Sequence, residues 1–322
     1  MARRLAALIT VLLVVVTAGC QSDAGDRPGT SESAAASIST KFGAVTPPKN
    51  PQRVVALGWG DAETALALGV QPVGAADWLA FGGEGVGPWA EGRYEKSPKI
   101  LGTLELSYED VAALKPDLIL DTKASGDQKR YQQLSKIAPT VGVPKGGDNY
   151  ATTMDIQVEM IGKALGRVDR ATRLLADVHD QFAATTAKYP QLKGKTVTVA
   201  ANSSNGWGAY IKTTDRVRFM TDLGLRNSPA VDAAEPDGFS VEVSEENLDL
   251  LDADLLVVMP IGTSAQEIEK SKLFRQVPAV EQGHYVILDN PTISRAYAVD
   301  SLLSVRYALD KVPPLLAAAL KS

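Results

Sequence analysis

From residue 51 onward, apolar positions form short unbroken runs that alternate with longer stretches of helical period. Residues 53–58 (RVVALG) are a run of strand length with no polar face, as expected for a strand covered on both sides. Residues 61–68 (DAETALAL) have helical character and stop at Gly69. The alternation continues with strands over 70–76, 117–120 and 140–143, and with helices over 107–114 and 128–137. Short apolar strands interleaved with helices predict an α/β domain with a mainly parallel sheet.

Two longer helices follow. The first covers 152–165 and closes at Gly166. The second covers 169–189 and brings Ala171, Leu174, Leu175, Val178, Phe182, Thr185 and Thr186 near one face, before Pro190 and Gly194 end it. A helix this long without Gly or Pro is unusual inside a small α/β lobe and suits a connector between two lobes. The alternation then resumes. Strands are expected over 196–201, 254–259 and 284–288, and helices over 217–223 and 245–251. A last helix spans 299–320, which Pro313 and Pro314 should bend or restart.

The two halves echo one another. Ser107-Tyr108-Glu109 opens a helix, and Asp117 starts a strand eight residues after Glu109; Ser244-Glu245-Glu246 opens a helix, and Asp254 starts a strand eight residues after Glu246. Trp59-Gly60 matches Trp207-Gly208, and Leu68-Gly69-Val70 matches Leu223-Gly224-Leu225. The expected organisation is an N-terminal lobe over 51–166, a connecting helix over 167–192 and a C-terminal lobe over 193–322. Ligands favour clefts between domains and the carboxyl ends of parallel strands.

The N-terminus has a different composition. Arg3 and Arg4 precede an apolar run over 5–16, too short for a membrane span, so residues 1–19 read as a secretory signal. It ends Thr17-Ala18-Gly19-Cys20, which resembles the bacterial lipobox, with Thr17 where Leu is usual; Cys20 is then the lipidated residue. Residues 20–50 hold the lipidated cysteine and a flexible tether, with the stretch to about Thr40 rich in Ser, Ala, Gly and Asp. An exported protein, lipid-anchored to the outer face of the cytoplasmic membrane, is expected.

Composition narrows the chemistry. The chain has 322 residues, a net charge of −5, one cysteine and two histidines, His179 and His284. The acidic balance argues against a nucleic-acid partner. No intrachain disulfide can form, and a zinc site or free metal-ion site is poorly supplied. No Gly-x-Ser-x-Gly elbow is present, and neither histidine has an evident Ser or Cys partner, so an enzyme is not expected. Residues 82–87 are glycine-rich but lack the spacing and the Lys-Ser/Thr pair of a phosphate loop, and read as a flexible cleft rim.

On residues 54–69 (VVALGWGDAETALALG), 106–120 (LSYEDVAALKPDLIL) and 239–258 (FSVEVSEENLDLLDADLLVV), the chain resembles the substrate-binding proteins of ABC importers for iron-siderophores, haem and vitamin B12. The resemblance covers about residues 50–320. It implies two α/β lobes joined by one long rigid helix, a chelate held between the lobes, no cofactor of the protein's own, and delivery by a monomer to an ABC permease dimer in the membrane. Iron would arrive inside a ferric siderophore; haem or cobalamin are the alternative cargoes, and a lipoprotein that no longer transports is a further reading.

The resemblance also implies roles for residues. One surface glutamate per lobe docks on permease arginines in this family, and by position these match Glu109 and Glu246, with Glu245 a possible substitute. A carboxylate suits bidentate pairing with a guanidinium. Each glutamate alone would be an ordinary residue of a first helical turn, where it favours the helix dipole, and Ser107 with Asp110 looks like a capping box. A ferric siderophore calls for arginines and flat aromatic surfaces. Trp59, Trp78 and Trp207 follow predicted strands, and Arg93, Tyr94, Arg216, Arg218, Arg295 and Tyr297 lie in loops or just beyond them. Arg216 and Arg218 are alternatives, and the bland reading of the tryptophans is that they fill the seam between the lobes. Tyr94, Tyr150, Tyr210 and Tyr297 remain open as haem ligands.

Overall fold

The structure is a computed structural model that describes residues 37–321 except 104, 235 and 237. The expected signal sequence, residues 1–19, and Cys20 lie outside the described residues. Among those described, no helix is long and apolar enough to cross a membrane.

The first lobe is built on five parallel strands in the order Lys99–Leu101, Gly74–Ala76, Val54–Ala56, Leu118–Leu120, Thr140–Val141. Val54–Ala56 is central and the chain winds outward from it in both directions. The carboxyl ends of Val54–Ala56 and Leu118–Leu120 therefore form a switch point, where the loops part and leave a crevice. Helices Asp61–Ala67, Tyr108–Ala113 and Gln128–Ser135 connect the strands.

The second lobe carries Thr196–Ser203, Leu255–Ile261 and Tyr285–Ile287 in parallel. Its sheet is mixed. Thr196–Ser203 turns at Ser204-Asn205 into Gly206–Tyr210, which runs antiparallel to it and pairs in turn with Ser240–Val243. The segment around Trp207, beyond the expected end of the strand at residue 201, is thus itself a hairpin strand. Its Asn-Ser-Ser-Asn-Gly composition marks a tight turn, with Gly206 at φ +100°.

The internal echo has a physical basis. Asp117 accepts hydrogen bonds from the backbone N–H groups of Gln52 and Arg53 at 2.6 and 2.9 Å, where the neighbouring strand begins. Asp254 does the same for Thr196, accepting from its N–H at 2.7 Å and its hydroxyl at 2.9 Å. Each aspartate pins the start of its lobe's central strand, and the registers correspond, with Val54 opposite Leu118 and Val197 opposite Leu255.

The connector is the helix Val168–Lys188, about 30 Å long at 1.5 Å per residue. Ala171, Leu175, Val178 and Phe182 form its buried stripe. A second element also ties the lobes. The C-terminal helix Leu302–Ala319 packs on the connector and on Asp61–Ala67 of the first lobe. One continuous apolar cluster joins Val54, Leu118 and Leu120 of the first lobe to Val197, Val257 and Met259 of the second.

Three expectations are corrected. The tether does not extend to residue 50: Ile38–Thr40 pairs with Gly43–Val45, Ile38 is buried, and Lys41 N–H donates to Val143 O at 2.9 Å. The last helix does not break at its prolines; it runs through Pro313 and Pro314, held by the buried Val312, Pro313, Leu316 and Ala317. The break falls earlier, at Asp300 in the left-handed region and at Ser301, which caps Leu302–Ala319. Finally, residues 245–251 form a 3-10 segment with Asn247 off helical geometry.

Candidate functional site

The chain after Val54–Ala56 turns at Gly58 and presents Trp59 toward the other lobe. A Cβ at residue 58 would lie 2.3 Å from Asp61 Oδ2, so this approach requires glycine. Asp61 organises the turn. Its fully buried carboxylate accepts from Gly58 N–H at 3.1 Å, Thr122 N–H at 2.9 Å, Thr122 Oγ1 at 2.5 Å and Gln157 Nε2 at 2.6 Å. Burial pushes this carboxyl up to about 6, against the hydrogen bonds that favour its charged form. Trp59 N–H donates to Lys123 O at 2.8 Å, joining the two loops at the switch point.

Trp59 is the middle ring of a three-ring stack. Trp78 lies 4.0 Å from it at 6°, and Tyr150 lies 3.8 Å from it at 16°. Stacking of this kind contributes about 0.5–1.5 kcal/mol per pair beyond area burial. Asn149 and Tyr150 both sit in the left-handed region, at φ 52° and 62°. Their N–H groups donate to Ser125 and Ala124 carbonyls, which holds this strained pair and aims Tyr150 at Trp59.

Between the lobes lies a cavity of about 950 Å³. Trp59, Lys123 and residues 148–151 wall it from the first lobe; the Ser203–Gly208 turn, Tyr210, residues 213–216 and Phe239 wall it from the second. Arg216 stands over the Tyr210 ring at 4.8 Å, and Phe239, 56% exposed, lies 6.1 Å from Tyr210.

An ionic cluster forms the floor. Lys123, from the first lobe and 2% exposed, donates through Nζ to Asp215 Oδ2 at 2.9 Å and Asp300 Oδ2 at 3.2 Å, both of the second lobe. Arg218 Nη1 donates to Asp215 Oδ1 at 2.5 Å. Burial, then the neighbouring Asp215, pushes the Asp300 carboxyl up to about 7, while Lys123 pulls it down. Burial acts to lower the Lys123 ammonium, but the two aspartates outweigh it and the group is raised.

The expected ligand residues separate into groups. Trp59, Trp207 and Arg216 line the cavity, although Trp207 is 5% exposed and stacks on Phe274 at 5.5 Å. Trp78 supports the wall from behind Trp59. Arg218 faces a second, smaller cavity behind the floor, beside His179 and Asp222. Arg295 lies over Phe81 at 5.5 Å, and exposed Arg93 lies near Glu63; neither lines the inter-lobe cavity. Tyr94 is buried, and its hydroxyl has no hydrogen-bond partner among the described residues. Tyr297 is a core residue, 2% exposed, edge-on to Phe219 and donating to Arg216 O at 2.5 Å. Burial raises both phenols. Both tyrosines are buried and neither lines the inter-lobe cavity.

Glu109 and Glu246 are both exposed, each in the first turn of its helical segment. Ser107 Oγ accepts from Asp110 N–H at 3.1 Å, so the expected cap is present on its serine side.

Lys123, Tyr150, Tyr210 and Phe239 were not singled out for a siderophore. Nothing local marks Lys123, because its partners Asp215 and Asp300 lie on the other lobe, and the two tyrosines enter the sequence reading only as haem ligands. Neither histidine lines the cavity: His179 pairs with Asp155 at 3.0 Å on the connector.

Comparison with known proteins agrees with this arrangement. A profile of the periplasmic binding protein family matches residues 54–292. The putative ABC transporter substrate-binding lipoprotein YhfQ of Bacillus subtilis is 27% identical, over 98% of this chain and 99% of its own. The Fe(3+)-citrate-binding protein YfmC of the same organism is 26% identical, over 92% and 93%. The crystal structure of Streptococcus pneumoniae PiaA in complex with ferrichrome superposes with a TM-score of 0.77 at 25% identity, covering 88% of this chain and 98% of that one. With two α/β lobes, a long connecting helix and a cleft between them, the chain belongs to the periplasmic binding protein family.

Proposed function

We propose that this protein is an extracytoplasmic lipoprotein that captures a ferric siderophore in the inter-lobe cleft and delivers it to an ABC permease. The observation that carries the reading is the cavity of about 950 Å³ at the switch point, walled by the Trp59–Tyr150 stack on one side and by Tyr210, Arg216 and Phe239 on the other. Its volume is at the upper end for a small-molecule site and its aromatic faces suit a bulky chelate. Both histidines lie away from it, so no axial imidazole is supplied there, while Tyr150 and Tyr210 line it and keep haem as the alternative cargo. Cys20 provides the anchor, and Glu109 and Glu246, one exposed carboxylate on each lobe, dock on the permease.

Import and binding separate the two roles. In Glu109→Ala/Glu246→Ala, chelate affinity measured by tryptophan fluorescence stays as in the parent, while uptake of radiolabelled iron by cells dependent on this protein is lost. A fall in affinity together with uptake would show that the glutamates serve the cleft and not the docking.

A further inference from the structure

We propose that the cleft selects ferric chelates of neutral or positive charge, the tris-hydroxamate class, over polyanionic catecholate and citrate chelates. This rests on the siderophore reading above and narrows it. Two cationic side chains, Lys123 and Arg216, and three carboxylates, Asp148, Asp215 and Glu242, line the cavity. Lys123 is closed to a ligand, being buried with its Nζ between Asp215 and Asp300. Asp148 is held by Lys41 at 2.6 Å. What remains is one guanidinium, Arg216, and one exposed carboxylate, Glu242, neither ion-paired among the described residues.

The arginine cluster that a polyanion needs is dispersed. Arg218 is tied to Asp215, Arg295 lies over Phe81, and Arg93 is off the cavity. The rest of the lining is neutral and polar, with Ser203, Ser204, Asn205 and Ser240 beside the aromatic rings.

The chelates differ in what they ask of such a wall. Three monoanionic hydroxamates cancel the charge of Fe(III), and a pendant ammonium makes the complex cationic. Its coordinating oxygens still carry partial negative charge, which a single guanidinium can meet, and its amides match serine and asparagine side chains. Dianionic catecholates leave a strongly negative complex. Enclosed beside Glu242, with Arg216 as its one open countercharge, that complex would lose hydration without recovering it in ion pairs.

The test is tryptophan-fluorescence quenching of the full chain in detergent, since Trp59 and Trp207 line the cavity. The probes are ferrichrome (neutral), ferrioxamine B (cationic), and ferric enterobactin and ferric dicitrate (both anionic). At least one hydroxamate chelate should bind about tenfold or more tighter than either anion. Glu242→Arg should narrow that gap. Arg216→Ala should weaken the hydroxamate roughly ten- to a hundredfold, and Arg216→Lys, which keeps the charge but not the planar fork, gives the same reading if the alanine variant does not fold. An anionic chelate that binds as tightly as the hydroxamates overturns the selectivity and leaves siderophore capture standing. Silence from all four chelates, with circular dichroism showing a folded protein, overturns both.

Discussion

Replacing Lys123 by methionine isolates the ionic cluster at the cleft floor. The substitution keeps an unbranched side chain of similar length and removes the charge. Asp215 and Asp300 are then left facing each other at the seam, with Arg218 on one oxygen of Asp215 alone. Removing one partner of a buried pair costs about 3–5 kcal/mol, most of it from the stranded charge. At 2% exposure solvent relieves little of this penalty at Lys123, and the aspartates, 13% exposed at the side chain, stay largely dry. Urea unfolding at pH 7.5 should therefore show a loss of that size. The loss should shrink at pH 5. Asp300 is already raised to about 7, and without Lys123 to lower it further proton uptake neutralises the repulsion. Lys123→Met/Asp215→Asn/Asp300→Asn should recover much of the stability, because no charge is then stranded. A single variant that loses less than about 1 kcal/mol and shows no pH dependence would refute a structural role for the cluster.

Other consequences follow from the same geometry. Asp61 is raised to about 6 and Asp300 to about 7 from an ordinary 3.8, so between roughly pH 4 and 7 the native state holds more protons than the unfolded one. Stability from these groups is complete below the unfolded value and is lost as pH rises through the folded ones, so the urea midpoint should be higher at pH 5 than at pH 8. Tyr297→Phe leaves Arg216 O without its donor and should lower stability by about 1–2 kcal/mol in urea titration, with chelate affinity unchanged because the ring is buried. Solution scattering should show little change in radius of gyration on chelate saturation, since closing the lobes would shear the shared apolar cluster; a large compaction would count against a rigid frame.

The fold was legible wherever local pattern and tertiary role agree. Buried runs such as Leu118-Ile119-Leu120 have no other stable use, and the stripe Ala171, Leu175, Val178, Phe182 fixes one long helix. The hairpin at Trp207 was missed because serine, asparagine and glycine read as loop, although they pair across the turn with the preceding strand, and the added cover on the outer edge comes from the distant Ser240–Val243. The prolines misled in the opposite sense: propensity breaks a helix at Pro313, but the packing of its neighbours keeps it intact.

The site was less legible, and charge explains why. A sequence shows which residues are cationic but not which are already partnered. Arg93, Arg216, Arg218 and Arg295 looked equivalent as loop cations, and the structure distinguishes them through what each meets: Asp215 one turn back for Arg218, the Tyr210 ring for Arg216 and the distant Phe81 ring for Arg295. Lys123 is the reverse case: an unremarkable lysine in sequence, it meets Asp300 from 177 residues away and becomes the charged tie between the lobes.

That tie also bears on how the cleft communicates with the outer surface. The loop carrying Lys123 donates Thr122 N–H to Asp61 and accepts from Trp59 N–H, so floor and aromatic wall are one hydrogen-bonded unit. Under the proposed function, a chelate held against the Trp59–Tyr150 wall would press on the group that clamps the second lobe through Asp215 and Asp300. Because the apolar seam resists large closure, a small shift at this clamp is the motion the frame permits. Glu109 and Glu246 lie on separate lobes, and a two-point contact through them would register such a shift as a change in their spacing.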